Sequence, residues 1–373
     1  MKITGLTTHL VRLDPQAWYG DAEIPAPERT DWIHPISVFH TDDGIDGHVS
    51  GSGTNGEGRV QAYALHDVYF PGLLGADPLN RREIWTTALN TTRHVYPLSD
   101  GVVGLIDVAV WDIAAKALGV SIATLLGGGA SSMPTYVTGS HWNRTPEDTF
   151  SEIRRVVARG HRGYKLSLGR NLSVDEPFLR AAREAAEPGF ALMLDAIGRY
   201  SYNEALRVGR LLDDLAFEWF EEPIPDRSMY LIEQLSKRLR TPILTGETVR
   251  LREAADAATR GATQRLRGDV QLKAGVTGLM HLVSVAATLG FAVELHACSS
   301  PLLDIANLHV GCATGCCELF ESHHPLFRFG LLDDPLTPDE NGLIHLPAGN
   351  GLGVNLDWDW IDDHTVEVVR TGQ

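Results

Sequence analysis

A chain of 373 residues is long enough to bury a barrel of about 250 residues and still leave material for a further domain. With 43% hydrophobic and 21% charged residues, and no uninterrupted apolar run near the 18 or so that would suggest a membrane span, it reads as a soluble globular protein without a membrane partner. The formal net charge of −16 excludes a nucleic-acid or anionic-membrane surface, which needs basic patches to displace counterions, but not a small anion held through a metal.

The opening MKITGLTTHLVRL alternates like a strand and lacks the basic region, apolar core and cleavage site of an export signal. Cys298, Cys312, Cys316 and Cys317 have no paired CxxC spacing, which suits reduced thiols in a cytoplasmic protein and indicates neither a zinc site nor a disulfide frame. A strand is predicted over 1–13, and ISVFHTDDGIDGHVSG (36–51) predicts two more around the turn-forming Asp43-Gly44. Residues 15–31, with Trp18 and Tyr19, and the glycine-rich GSGTNGEG (51–58) read as mobile loops. The second is no phosphate loop, since no Gly-Lys-Ser/Thr follows it. Helical patterns follow at about 59–75, 79–90 and 101–118; the last is apolar nearly all round, ends at Gly119 and is expected between domains.

From residue 133 the pattern becomes a regular alternation of strands and helices. TYVTG, GYKLSLG, LMLDAIG, FEWFEEP, PILTGET, RLRGDVQ, AVELHAC and CCELFES are eight strand ends. The implied fold is α/β: a modified TIM barrel of (β/α)7β type with an α+β capping domain. The expected boundaries are 1–125 for the cap, 126–325 for the barrel and 326–373 for a C-terminal segment that closes onto the cap. Within that last segment GLIHLPAGNGLGVNLDWDWI reads as a strand and loop.

Three acids, Asp195, Glu221 and Glu247, fall at even intervals of 26 residues, each closing one of the apolar runs. In a parallel barrel such residues converge on one face, and three convergent carboxylates require a cation among them. All-oxygen ligation points to Mg2+ before Mn2+ or Ca2+. The same register carries Lys165, Asp269, His296 and Glu321, so seven ionisable groups share the barrel mouth. For an α-hydroxy carboxylate bound there, His296 is placed to remove the α-proton and Asp269 to orient its ring and stabilise the imidazolium. Lys165 approaches from the other side, as a cation that stabilises an enediolate or, with a depressed pKa, as a second base.

These residues resemble the enolase superfamily and, within it, the mandelate racemase subgroup. The marks are FEWFEEP, PILTGET, RGDVQLKAGVTG and VELHA. The resemblance implies that Asp195, Glu221 and Glu247 ligate Mg2+, that Asp269 and His296 form a dyad, and that Glu321, with Glu318 as runner-up, hydrogen-bonds the substrate carboxylate. Glu222 is expected to be a buried neighbour of the ligands. Two positions depart from the family pattern: Ser167 stands where a second lysine is usual, and Ile197 where an asparagine is usual. The implied activity is Mg2+-dependent dehydration of a sugar acid, aldonate or aldarate, to a 2-keto-3-deoxy acid. Racemisation, epimerisation or cycloisomerisation through the same intermediate is the alternative, and a sugar-acid-binding protein without turnover is a third. Ser167, His141, Arg170, Arg199 and the 15–31 and 51–58 loops would meet the hydroxylated substrate. Members commonly form symmetric assemblies, so a homo-oligomer is expected.

Overall fold

Two sheets organise the chain in the computed structural model, which describes residues 1–19, 31–54, 56–95, 99–139 and 145–372. The first is antiparallel. Strands β1 (Ile3–Leu13), β2 (Trp32–Thr41), β3 (Gly47–Ser50) and β13 (Thr365–Gly372) lie in the order β13-β1-β2-β3. The end of the chain thus pairs with its beginning, Gly5 opposite Gly372.

The second sheet is the barrel. Its strands are β4 (Ser132–Thr138), β5 (Gly163–Ser167), β6 (Ala191–Asp195), β7 (Trp219–Glu221), β8 (Ile243–Thr245), β9 (Arg265–Gly268), β10 (Ala292–Leu295) and β11 (Phe320–Ser322). The order is β10-β9-β8-β7-β6-β5-β4-β11, every neighbouring pair parallel. The ring is nearly closed where β10 and β11 meet, with Val293 N–H donating to the Cys316 carbonyl at 3.0 Å. All eight predicted strand ends are present, because these apolar runs, such as Ala191–Asp195, are covered by helices outside and filled by side chains inside. A short β12 (Leu343–His345) lies antiparallel on β4.

Helix Asp100–Ala117 joins the two sheets. Fourteen of its 18 residues are buried, which explains its all-round apolar pattern. Asp107 accepts hydrogen bonds from the Thr277 N–H and hydroxyl on the barrel side. Asp112 accepts from His48 N–H, Lys116 Nζ and Leu352 N–H, tying the cap, this helix and the C-terminal segment together.

Three expectations change in detail. Strand β2 begins at Trp32, not 36. The helix expected over 59–75 is an α-helix only for Gly58–Tyr63, then π and 3-10 turns to Gly72. The C-terminal WDWI is helical: the Asp357 side chain accepts from Trp360 N–H and starts helix Trp358–His364, a capping signal that the strand reading passed over. Of the 15–31 loop, Gln16–Tyr19 form a short helix and 20–30 lie outside the described residues.

The 51–58 loop is anchored at both ends. A Cβ on Gly53 would come within 1.9 Å of the Ile33 carbonyl oxygen and one on Gly58 within 1.8 Å of the same atom, so both glycines let the loop press onto β2. Steric contact with β2 fixes where the loop enters and leaves the barrel mouth. Gly58→Ala should therefore lower unfolding stability by about 1–3 kcal/mol through overpacking against backbone, read as a lower denaturant midpoint at unchanged slope.

Candidate active site

Strand register places the acids. Ser167 lies opposite Asp195 across β5 and β6, and Asp195 opposite Glu221 across β6 and β7. Glu247 follows two residues after β8 ends. Asp269 and His296 each lie one residue beyond their strands, so all five sit at the carboxyl ends of consecutive strands. A cavity of about 520 Å3 opens on this rim. Glu247, Asp269 and His296 line its barrel wall, and Ser52, Thr54 and Gln61 its cap wall. A larger cavity, about 630 Å3, reaches Thr138, His323 and Trp18 on the other flank and touches none of the three acids, of which Glu247 lines the smaller one.

Beneath the rim, four buried charges close a ring. Lys165 Nζ lies 3.1 Å from Glu221 Oε2 and 2.9 Å from Glu321 Oε1. Arg267 Nε lies 2.8 Å from Glu221 Oε1, and its Nη2 pairs with Glu321 Oε2. Each carboxylate spans both cations through different oxygens. Asp195 Oδ2 stands outside the ring, 3.8 Å from Lys165 Nζ. Burial and Arg267 would both push Lys165 down, yet Glu221 and Glu321 outweigh them and hold its pKa well above the ordinary lysine value. In this arrangement Lys165 is the cationic partner of both carboxylates. Burial would raise Glu321, but Arg267 and Lys165 hold it well below the usual carboxylate range. It also accepts from the Thr138 hydroxyl and, at 2.9 Å, from Ala297 N–H. Glu318 is exposed, which leaves Glu321 as the acid that faces the interior.

The dyad is formed. His296 Nδ1 lies 2.9 Å from Asp269 Oδ2, while Asp269 Oδ1 accepts from Leu272 N–H. With Nδ1 so engaged, Nε2 is the nitrogen left to handle protons, and it faces Glu247 Oε1 at 3.6 Å. Burial alone would depress the imidazole; Glu247 and Asp269 overcome it and lift the pKa to about 9. Asn307 fixes the base from behind, donating to the His296 carbonyl and accepting from Val270 N–H.

Oxygen donors, mutual repulsion and orphaned buried atoms make the three acids fit a hard divalent cation. Burial and then the charge of Glu221 push Asp195 up to about 7. Burial, then Glu247, Asp195 and Glu221, push Glu222 up to about 9. Glu221 Oε1 and Glu222 Oε1 are shut off from solvent without a hydrogen-bond partner. Among the described residues Asp269, His296 and Cys298 bring possible ligand atoms within 4.8 Å of one another, closer than the three acids come. That cluster is a poor metal site: Asp269 and His296 already bond each other, and burial, then Asp269 and Asp304, holds the Cys298 thiol well above its normal pKa.

The remaining expected contacts divide. Ser167 is half-buried at the end of β5 beside Asp195. Arg170 and Arg199 are exposed. The Arg170 guanidinium lies over the Phe178 ring of an outer helix, 5.6 Å from its centroid. His141 lies outside the described residues. Three positioning groups escaped the sequence reading: Arg267, Asn307 and Lys273. Lys273 Nζ donates to the carbonyls of Glu247 at 2.7 Å and Val249 at 2.9 Å, fixing the turn that presents the Glu247 side chain. The parity of Arg267 with Asp269 was the available signal, since residues two apart on a strand share a face.

Two outcomes follow from this geometry. Asp195 must lose its proton to hold a cation, so Mg2+ affinity should rise as pH increases through about 7, with proton release on binding; calorimetry in buffers of different protonation enthalpy reads both. Ile197 adopts φ 51° while 45% exposed, a left-handed conformation that a β-branched residue resists and asparagine tolerates. Ile197→Asn should therefore raise unfolding stability by about 1 kcal/mol, measured by denaturant titration.

Comparison with known proteins agrees with the geometry. Residues 36–127 match the mandelate racemase / muconate lactonizing enzyme N-terminal domain, and residues 148–360 match the enolase C-terminal domain-like family. The chain is similar to D-galactarolactone cycloisomerase of Agrobacterium fabrum, 28% identical over 96% of this chain and 97% of that one. It is also similar to L-talarate/galactarate dehydratase of Salmonella typhimurium, 31% identical over 86% of this chain and 80% of that one. The crystal structure of D-glucarate dehydratase from Agrobacterium tumefaciens complexed with magnesium superposes with a TM-score of 0.86 at 27% identity, covering 98% of this chain and 100% of that one. With both domain models matched in order, over a nearly closed barrel whose rim carries the acids and the dyad, the chain belongs to the enolase superfamily, in its mandelate racemase subgroup.

Proposed function

We propose that this protein is a Mg2+-dependent dehydratase that converts a sugar acid, aldonate or aldarate, to a 2-keto-3-deoxy acid. The observation that carries the reading is the one-sidedness of the proton-transfer groups. His296, backed by Asp269, presents Nε2 to the cavity, whereas the opposing Lys165 is held as a cation by Glu221 and Glu321. A racemase needs proton transfer on both faces of the enediolate, and Ser167, beside Asp195, has neither the basicity nor the reach.

In the proposed reaction His296 Nε2 takes the α-proton. The resulting imidazolium is stabilised by Asp269 and returns the proton to the β-hydroxyl, which leaves as water; the enol then tautomerises to the keto acid. Asp195, Glu221 and Glu247 would hold Mg2+, which when bound supplies Lewis-acid stabilisation of the substrate carboxylate. Lys165 adds a fixed positive charge against the developing negative charge. Ser52, Thr54 and Gln61 on the cap wall offer neutral hydrogen-bonding groups suited to sugar hydroxyls.

Cycloisomerisation is the second reading, favoured by the cycloisomerase relative aligned over 96% of the chain. It also needs only one base. A library of mono- and diacid sugars and their lactones, incubated with Mg2+ in D2O and followed by proton NMR, separates the two. Dehydration gives a 2-keto-3-deoxy acid without the α-epimer in recovered substrate, cycloisomerisation an isomer of unchanged mass, and the α-epimer without keto acid would defeat the one-base reading. His296→Asn should abolish both α-proton exchange and product, and Asp269→Asn should cost less because Asp269 orients the base but carries no proton. Retained exchange in His296→Asn would give the base role to another group.

A further inference from the structure

Arg267 belongs to neither the expected metal ligands nor the dyad, yet it is fully buried and pairs with both Glu221 and Glu321. Its guanidinium divides its donors by direction. Nη1 donates to the Tyr136 hydroxyl and the Leu295 carbonyl, each at 3.1 Å, which anchors the fork to strands β4 and β10. Nη2 holds Glu321, and Nε stands 2.8 Å from Glu221 Oε1. That last approach is an ion pair without hydrogen-bond alignment, so Glu221 Oε1 keeps its acceptor capacity. Glu221 Oε2 is meanwhile taken by Lys165 at 3.1 Å. With its two oxygens drawn to different cations, the carboxylate cannot turn about its own axis.

We propose that Arg267 is a positioning residue for the divalent cation: by bridging Glu221 and Glu321 from below, it fixes the orientation in which Glu221 meets the metal. The proposal rests on the metal reading of Asp195, Glu221 and Glu247 given above. A guanidinium suits the task because its planar fork reaches several fixed acceptors at once, which an ammonium on a flexible stem cannot do. Arg267→Lys keeps the charge and removes the fork, so the buried acids are not left without a cation. Residues that orient metal ligands in this way typically contribute roughly 10–100-fold in metal affinity.

The test is Mg2+ titration by calorimetry of the full chain, with denaturant unfolding of the same samples. Wild type is expected to bind Mg2+, and Arg267→Lys to bind it roughly 10–100-fold more weakly while still unfolding cooperatively. Tyr136→Phe, which removes one anchor of the fork and preserves the ring, is expected to weaken binding in the same direction by less, and it carries the test should Arg267→Lys not fold. Wild type without Mg2+ binding overturns the metal reading and this proposal together. Wild-type affinity in a folded Arg267→Lys, or in Tyr136→Phe where only that variant folds, overturns the positioning role alone. A purely structural arginine would lower the unfolding midpoint without moving the Mg2+ affinity of the folded protein.

Discussion

The buried ring of Lys165, Glu221, Arg267 and Glu321 is the constraint on which the rest of the site depends. Two cations and two anions packed in a barrel core gain from their mutual attraction, but they lose hydration of similar size. Such an arrangement adds little net stability over an apolar core of equal volume, while removal of one member leaves an uncompensated charge and costs about 3–5 kcal/mol. Its physical value here lies in geometry. Every carboxylate oxygen in the ring has a cation assigned to it, so neither Glu221 nor Glu321 has rotational freedom.

The ring also determines which charges remain unbalanced. Lys165 and Arg267 neutralise Glu221 and Glu321, which leaves Asp195, Glu222 and Glu247 as the excess negative groups of the rim. Their mutual repulsion is visible in the upward shifts of Asp195 and Glu222, each driven first by burial and then by neighbouring acids. The same excess reaches the base: with burial opposing it, Glu247 still helps raise His296 to about 9. A cation among the acids would withdraw that influence and return the imidazole toward neutrality, where it can accept a proton. On the proposed reading, metal affinity and basicity are thus coupled through one side chain, Glu247, at a turn that Lys273 holds through the carbonyls of Glu247 and Val249.

Much of this was legible in the sequence, because a barrel turns regular spacing into convergence. The even intervals of Asp195, Glu221 and Glu247, and the strand-end positions of Lys165, Asp269, His296 and Glu321, needed only the alternation of strand and helix to be placed. Arg267 was missed although it shares strand parity with Asp269, because an arginine in a strand reads as exposed until its partners are known. Ionisation states were hidden for the same reason. Whether Lys165 is acid or base depends on how close Glu221 and Glu321 come, and spacing along the chain carries no such distance. Arg170 and Arg199 were expected to meet the substrate as polar residues near the mouth, and sequence could not show that the Arg170 guanidinium lies over the Phe178 ring. The helix Trp358–His364 was read as strand and loop because aromatic residues favour strands, and the cap at Asp357 decides for the helix.

In the proposed reaction, chemistry and selectivity occupy different parts of the molecule. The barrel supplies every charged group of the proposed reaction. The cap supplies Ser52, Thr54 and Gln61 from a loop held by Gly53 and Gly58 against β2 and from the helix that follows. Ser52, Thr54 and Gln61 are neutral, so on that reading they would discriminate hydroxyl positions without adding charge to the groups below. The converse also holds: Ser50 bonds Ser300 at 2.6 Å and Leu302 N–H at 3.0 Å, joining the cap sheet to the helix that follows β10 and the base it carries. On that reading, a shift of the cap that changed which hydroxyl is recognised would also strain the segment behind His296, which would link substrate choice to base placement.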